Sequence, residues 1–372
     1  MNWGAAKMKH EQRCKNWKPR LMKLFLLGLV IVVAGACMFM PFEQPTVAPP
    51  PATPKRIVPR TLDDRHSGFS EQWRTHMQID LGGGSLRHAS TEALAVTNEA
   101  LYVVGAELTS SDPLKSWQLI ALDQNNGARK WNSEKFGAPD SLAIGPNALF
   151  VAASFGIDAY DIGSGQRLWT SNQAPPDHEE FHLFYDSGLE LVIRKGGDYS
   201  YKTLDSQTGR IGPTRTIDGV LVKVDSAFFY VWNDKVLRVE GRNSNLTRWS
   251  FPSYYIPDPP LKSGNLLVLP IIQDRLGWHS VVVVDEQTGK KIWECVDCFA
   301  SDVAVDNGEV YALNRDGALE VRDLNTGTLV SAIKFDGGEP MEPLNTFYGV
   351  AAKNGMVFLY FGDTDELIAL KS

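Results

Sequence analysis

A repeated spacing of three residue types constrains the fold of this chain more than any other sequence feature. In residues 61–372 an Asp is followed four positions later by Gly and eight positions later by Trp, after a run of alternating apolar residues. The clear copies are Asp123-Gly127-Trp131, Asp161-Gly165-Trp169 and Asp285-Gly289-Trp293. Apolar alternation predicts a strand, Asp and Gly favour a tight turn, and the Trp then lies on a returning strand. The unit is therefore a β-hairpin.

Three further copies are degenerate. Asp205-Gly209 has Pro213 where Trp is expected, and Asp323-Gly327 has Ser331 there. We align Glu240 with the Asp position, which requires one inserted residue before Trp249.

A second series of turn signals alternates with the first and completes the predicted blades. These turns are at Asn98, Pro146-Asn147, Asp186-Ser187-Gly188, Asp225-Ser226, Ser263-Gly264-Asn265, Asn307-Gly308 and Asn354-Gly355. Seven pairs of turns indicate seven four-stranded units of about 43 residues each, a length typical of propeller blades. We predict an all-β, seven-bladed β-propeller over residues 69–372. The alternative of eight blades leaves about 38 residues for each.

The two ends of this region complement each other. Residues 366–372 form an apolar strand without the Trp-bearing strand that should return beside it. Ser70-Glu71-Gln72-Trp73 has the pattern of the missing strand. We expect residues 70–74 to complete the last blade, because ring closure removes the exposed sheet edges of a linear array.

The repeat resembles that of pyrroloquinoline-quinone-type β-propellers, a family that includes quinoprotein dehydrogenases and the propeller lipoprotein of the outer-membrane barrel-assembly machine. The resemblance implies structural roles between neighbouring blades for the repeat tryptophans. These are Trp73, Trp131, Trp169, Trp249 and Trp293. It does not imply that this chain binds the quinone, since family dehydrogenases are longer and carry adjacent cysteines and a calcium site. We therefore predict no cofactor, and keep pyrroloquinoline quinone as the alternative.

The first 68 residues have a different composition. Residues 1–23 hold seven basic side chains and one acid, and residues 24–42 are nineteen uncharged, mostly apolar residues. As a helix, residues 24–42 would span about 30 Å, the thickness of a bilayer core. The basic residues before them predict a cytoplasmic N-terminus. Residues 43–68 follow as a Pro-rich linker, which favours an extended stalk. We expect a single-pass membrane anchor with the propeller outside the cytoplasm.

Two other interpretations of residues 24–42 remain open. Ala34-Gly35-Ala36 fits a signal-peptidase site, which would give a secreted protein. Cys37 follows and would carry a lipid anchor, although Ala34 replaces the Leu usual three positions before a lipidated Cys.

Loop length suggests where the propeller binds its partner. First and third connections of an antiparallel blade open on one face, and these are short here. The longer segments fall on the other face: Gly105–Trp117, Ser171–His182, Arg194–Ser200, Ser250–Pro260, Gln273–Ser280 and Asp336–Pro343. Long loops on a rigid scaffold commonly bind ligands. We expect partner contacts here from exposed aromatic and His side chains, which are Trp117, Phe251, Tyr254, Tyr255, Trp278 and His279. The competing interpretation is that the rings of residues 249–257 cover the end of the core.

Two short motifs could carry chemistry. His178-Glu179-Glu180-Phe181-His182 matches the H-E-x-x-H pattern of zinc proteases, but that chemistry needs a helix, and the repeat places a loop and an inner strand here. Cys295 and Cys298 predict a local disulfide outside the cytoplasm, with free thiols as the alternative. We assign no catalytic, cofactor-binding or metal-ligating residue.

Charge and topology together suggest a function. The chain has 37 Lys and Arg against 44 Asp and Glu, and seven of the basic residues belong to the N-terminal head. An acidic outer body disfavours a nucleic-acid partner. We expect a membrane-tethered extracytoplasmic scaffold or assembly factor that binds a protein. The alternative is a small quinoprotein-like oxidoreductase.

Overall fold

A computed structural model describes residues 61–62, 68–77, 79–80, 94–107, 117–137, 139–153, 156–171, 180–195, 198–233, 236–242, 246–252, 259–272, 279–336, 348–362 and 364–372. All of them belong to one unit of the chain, Ile57–Ser372. The predicted head, anchor and most of the linker, including Cys37, lie outside these ranges. Within the ranges there is no helix of the length and apolarity needed to span a bilayer.

The described elements are 31 strands, and most of them form antiparallel hairpins in chain order. The first blades, from inner to outer strand, are as follows. Blade 1 has β4 (Leu94–Val96), β5 (Leu101–Glu107), β6 (Trp117–Leu122) and β7 (Arg129–Asn132), with β3 (Ile79–Asp80) beside β4 on the same edge of β5. Blade 2 has β8 (Pro139–Ile144), β9 (Ala148–Ala153), β10 (Gly156–Asp161) and β11 (Arg167–Ser171). Blade 3 has β12 (Glu180–Tyr185), β13 (Leu189–Lys195), β14 (Asp198–Leu204) and β15 (Ile211–Ile217).

The remaining blades repeat this order. Blade 4 has β16 (Val220–Val224), β17 (Phe228–Asn233), β18 (Val236–Gly241) and β19 (Thr247–Pro252). Blade 5 has β20 (Leu261–Ser263), β21 (Leu266–Ile272), β22 (His279–Asp285) and β23 (Lys291–Phe299). Blade 6 has β24 (Ala304–Asp306), β25 (Glu309–Leu313), β26 (Leu319–Asp323) and β27 (Leu329–Ile333). Blade 7 has β29 (Tyr348–Lys353), β30 (Met356–Phe361), β31 (Glu366–Lys371) and β2 (Ser70–His76). The predicted seven-bladed propeller is confirmed.

Blade 7 joins the two ends of the propeller. Strand β2 pairs with β31 in antiparallel register, with Trp73 opposite Ala369 and His76 opposite Glu366. The Arg74 guanidinium lies 2.7 Å from Glu366 Oε1, and Glu366 is fully buried. The predicted closure is therefore confirmed. Two residues of the segment predicted as linker, β1 (Thr61–Leu62), also pair with β28 (Phe335–Asp336) at the end of blade 6.

The core lies between the blades. The buried apolar residues of the described chain form seven clusters, and each cluster combines two neighbouring blades. The cluster of blades 7 and 1, for example, contains Phe358 and Leu367 from one blade with Leu101 and Val103 from the other. Each blade thus buries both faces, which explains why its middle strands are apolar at nearly every position. One face of every blade would be exposed without its neighbour.

The repeat tryptophans connect these neighbours. Each indole N–H donates to the backbone oxygen of the residue that follows the turn Asp position in the next blade. The pairs are Trp73 to Gln124 (2.6 Å), Trp131 to Ile162 (3.2 Å), Trp169 to Ser206 (3.0 Å), Trp249 to Glu286 (2.7 Å) and Trp293 to Leu324 (2.7 Å). The indole ring lies on the turn Gly of that blade, where a Cβ would collide with it. The Trp of one blade therefore contacts the turn between Asp and Gly in the next blade.

The contact between each Trp and the turn of the next blade explains the degenerate copies of the repeat. Strand register places Trp249 opposite Val239, just as Trp131 is opposite Ala121. Asp123 lies two residues after Ala121, so the matching position in blade 4 is Gly241, two residues after Val239 and eight before Trp249. Our alignment of Glu240 with an inserted residue is therefore wrong. The hairpin of blade 4 has no Asp at its turn, and Pro213 replaces the Trp that would contact this hairpin.

Arginine replaces the missing indole between blades 3 and 4. Arg215, two residues after Pro213, donates from Nη1 to the backbone oxygen of Arg242 at 2.8 Å. Arg242 follows Gly241, so this oxygen corresponds to the one that accepts from Trp elsewhere. The Arg215 guanidinium also lies 5.0 Å from the ring centroid of Phe229. Ser331 has a simpler explanation, because the next blade joins β31 to β2 and has no hairpin there.

Two glycines of blade 5 test the contact between Trp and turn Gly. We expect Gly289→Ala to lower the free energy of unfolding by about 2–4 kcal/mol, because its Cβ would lie 2.6 Å from the Trp249 ring in addition to the left-handed backbone strain. Gly264→Ala is the matched control, with a similar φ of 59° against 67° and no neighbour within 4 Å. It should cost about 1 kcal/mol. Urea unfolding of both variants gives the difference, and equal losses would refute the contact.

Candidate functional site

The two faces of the propeller have unequal connections. We call the face with the first and third connections of each blade the short-turn face and the opposite face the long-loop face. Strands on the short-turn face are joined by tight segments such as 145–147 and 307–308. The long-loop face carries the segments 81–93, 108–116, 172–179, 253–260, 273–278 and 337–347. The prediction of a long segment at 194–200 is wrong, because residues 196–197 alone separate β13 from β14. Segment 81–93 was missed, although three successive glycines at 82–84 mark it.

The short-turn face is held together by hydrogen bonds between blades. Asp186 Oδ2 accepts from the Ser226 N–H at 2.8 Å, and Asp306 Oδ2 accepts from the Gly355 N–H at 2.9 Å. Within the hairpin turns, the hydroxyl and N–H groups of Ser164 and Thr288 donate to Asp161 and Asp285. These bonds lower the pKa values of the Asp161 and Asp285 carboxyl groups below their usual range. These four carboxylates therefore hold the turns of this face in place.

A polar cluster that is buried except for Lys262 links blades 4 and 5 on the same face. The Tyr230 hydroxyl lies 2.7 Å from Asp225 Oδ2 and 2.8 Å from Glu286 Oε1, and Lys262 Nζ lies 2.6 Å from Glu286 Oε1. Burial raises the pKa of the Tyr230 phenol well above its usual value, and both carboxylates raise it further. Burial opposes the charge of Lys262, but its hydrogen bond to Glu286 raises the pKa of the ammonium. The cluster thus joins the two blades through hydrogen bonds, with one ammonium group shared by two carboxylates.

A second polar junction supports the seam without Trp. Arg242 Nη2 lies 2.5 Å from both Glu190 Oε1 and the Tyr201 hydroxyl, and its Nη1 donates to the Asp225 backbone oxygen at 3.1 Å. Glu190 is 4% exposed. The described residues contain no group of three or more His, Cys, Asp or Glu arranged to hold a metal ion.

The predicted partner-binding residues separate into three groups. Trp117 is 3% exposed and packs in the cluster between blades 1 and 2, so its assignment to the binding surface is wrong. Phe251 is half-buried against the cluster of blades 4 and 5, as the competing interpretation expected. Tyr254, Tyr255 and Trp278 lie outside the described residues, and for His279 the structure describes the backbone alone, in β22.

The H-E-x-x-H segment does not form a helix where it is described. Strand β12 begins at Glu180, and His182 lies on it opposite Val192 with 8% of its surface exposed. His178 and Glu179 lie outside the described residues. A buried strand position does not suit His182 as a ligand of an accessible zinc ion.

Cys295 and Cys298 lie on the outer strand of blade 5. Their sulfur atoms are joined, and their Cα atoms are 5.8 Å apart, a usual separation for a disulfide. The strand bulges between them, since Cys295 is opposite Val281 and Phe299 is opposite His279. The Ser280 hydroxyl accepts from the Asp297 N–H at 2.8 Å and holds the bulge to the neighbouring strand.

A cavity of about 360 Å³ lies along the innermost strands. Its walls come from β4 of blade 1, β20 of blade 5, β24 of blade 6 and β29 of blade 7, together with Lys223 of β16. Twelve of the fifteen described lining residues are apolar, and most of these are Ala, Val or Pro. Segments 81–93, 253–258 and 337–347 of the long-loop face lead directly into these walls. The cavity was not predicted, because no repeat position of the sequence identifies it.

The described walls do not fit pyrroloquinoline quinone, which carries several carboxylates. Lys223 and Lys262 are the two cationic residues of the lining that the structure describes. Lys223 Nζ donates to the Pro260 backbone oxygen, and Lys262 pairs with Glu286. Binding a polyanion would require breaking these bonds in a mostly apolar space.

The ring of seven four-stranded blades, each sealed to the next by buried side chains, defines a β-propeller. The Pan2 WD40 domain of Neurospora crassa resembles it with a TM-score of 0.58 and 11% identity, over 84% of this chain and 98% of that chain. BamB from Moraxella catarrhalis has a TM-score of 0.49 and 14% identity, over 82% of this chain and 98% of that one. The computationally designed Ika8 protein also has a TM-score of 0.49, with 13% identity over 81% and 99% of the two chains.

The likeness to the Pan2 domain shows the fold alone, because its sequence identity is low. No protein-family model matches the chain, and no curated protein matches it. The resemblance of the repeat to quinone-type propellers therefore stays a prediction.

Thiol counting tests the Cys295–Cys298 bond. The full chain has four cysteines, and we expect reduction of the denatured protein to add two reactive thiols to those present before reduction. The double variant Cys295→Ser, Cys298→Ser should show no increase. The same count before and after reduction of the natural chain would mean that both cysteines are free thiols.

Proposed function

We propose that this chain is a membrane-tethered, extracytoplasmic β-propeller that binds a protein partner through its long-loop face, as a scaffold or assembly factor in the cell envelope. The observation that carries the proposal is the difference between the two faces. Tight turns and bonds between blades fix the short-turn face, whereas the strands joined by the long connections of several blades begin and end at the other face.

The blade seams supply the rigid support that such a face requires. Each described blade is fixed on both sides by buried apolar side chains and, at five seams, by a Trp hydrogen bond. Loops that emerge from such a scaffold can vary in sequence without changing the fold.

The sequence of two long-loop segments suits protein contact. Tyr254 and Tyr255 lie in segment 253–258 and Trp278 lies in segment 273–278. Tyr and Trp are enriched among the residues that contribute most to protein interfaces. The prolines that flank the two tyrosines reduce the entropy that the chain would lose on binding. These three residues are our strongest candidates for partner contact.

The tether rests on the N-terminal sequence. A basic head, nineteen uncharged residues and a Pro-rich segment occur in the order expected for a cytoplasmic end, a bilayer span and a stalk. This order suggests a propeller outside the cytoplasm and close to the membrane.

Site-specific photo-crosslinking tests the choice of face. We expect a photoreactive residue at position 254 or 278 of the full chain, in its native membrane, to give a discrete adduct of higher mass. Matched probes at Asn125 and Asn325, exposed on the short-turn face, should give none. Adducts from positions 125 and 325 alone, or equally from both faces, would contradict the proposal.

Alkaline carbonate extraction of membranes tests the tether. The full chain should stay in the membrane pellet, whereas deletion of residues 24–42 should release it, because the apolar span supplies the insertion energy. The variant Cys37→Ser separates anchor from lipid, since a spanning helix should survive this change. If carbonate releases the Cys37→Ser variant from the membrane, a lipid anchor is favoured. If it releases the unmodified chain, a membrane-spanning helix is excluded.

A further inference from the structure

The central cavity has the dimensions of a small-molecule site. Its volume of about 360 Å³ lies within the usual range for such sites, and an apolar cavity of about 150 Å³ is enough to hold benzene. Part of the wall is formed by Val305 of blade 6, Ala351 of blade 7 and Val96 of blade 1, and both valines are half-buried. The space can therefore accept about two fused rings.

Both ammonium groups in the described lining of the cavity are already bonded within the protein. Lys262 is paired with Glu286 and has Asp225 Oδ2 at 3.8 Å, and Lys223 is bonded to the Pro260 backbone oxygen. A negatively charged ligand would lose its hydration without gaining a new partner from either ammonium group. An uncharged ligand has no such cost.

The strand edges around the cavity offer neutral hydrogen bonds. Strands β20, β24 and β29 are each the first strand of their sheets and pair on one side only, within the part of the chain that the structure describes. The other edge of each strand turns backbone N–H and C=O groups toward the cavity. The walls thus combine apolar side chains with peptide groups, as in small-molecule sites where a few polar groups fix the orientation of a ligand.

We propose that the central cavity binds a small, flat, uncharged molecule of about two fused rings that carries a hydroxyl, amide or carbonyl group. The rings would contact the Val and Ala side chains, and the polar group would bond to a strand edge. This site goes beyond the proposed binding of a protein at the long-loop face. Crosslinking at positions 254 and 278 can succeed or fail independently of it.

Naphthalen-2-ol is a suitable probe, because it is neutral at pH 7 and has two fused rings and one hydroxyl. At millimolar concentration we expect it to raise the melting temperature of the full chain in detergent by about 2 °C or more, since it would bind the folded state alone. Naphthalene-2-sulfonate has the same rings with a negative charge and should give no shift. An equal or larger shift with the sulfonate would overturn the assignment of an uncharged ligand, and no shift with either probe would overturn the site.

Two variants of blade 6 locate the site. Val305→Trp fills the cavity from the inner strand and should abolish the shift caused by naphthalen-2-ol. Val330→Trp makes the same change on the outer strand, where the side chain is 57% exposed, and should leave the shift intact. Val96→Phe, in the wall contributed by blade 1, serves if Val305→Trp does not fold, as judged by its own melting curve. A shift that persists in the folded inner-strand variants would mean that the probe binds elsewhere, and would refute the proposal.

Discussion

The architecture depends on a hydrogen bond that crosses five of the seven blade seams, from an indole N–H on an outer strand to a backbone oxygen in the neighbouring hairpin turn. The same indole lies on the turn glycine, so donor, acceptor and packing surface come from adjacent repeats. When a blade lacks the Asp and Gly of its turn, a Trp on the preceding blade has no matching turn to contact. Pro213 and Ser331 occur at the two seams where the following turn is altered or absent, and Arg215 takes over the bond at the first of them.

Local spacing was sufficient to predict the hairpins, the seven blades and the closing strand. Strand alternation and turn chemistry act over a few residues, and a repeat multiplies the signal. Contacts between blades could not be predicted in the same way. The burial of Trp117 depends on blade 2, and the register that assigns Gly241 to the Asp position becomes visible only in the paired strands. The cavity depends on the inner strands of several blades, whose short sequences look alike.

The two proposed sites use different parts of the same scaffold. The long-loop face depends on connections that can vary without disturbing the strands, whereas the cavity depends on strand residues that every blade needs for packing. Val305 and Val96 must satisfy the seams and the cavity together, so few side chains are acceptable at these positions. The long connections are free of this double requirement. Partner choice could therefore change during evolution faster than the ligand of the cavity.

Ring closure also determines the order in which this protein can complete its structure. Arg74 and Glu366 are separated by 292 positions, and strand β2 has its partner in β31. During synthesis β2 leaves the ribosome early and remains unpaired until residues 366–371 have emerged. The growing array meanwhile exposes two open sheet edges, which favour pairing with other chains. Blade 7 is consequently the last blade to form, and a chain that stalls before its final strand keeps both edges open.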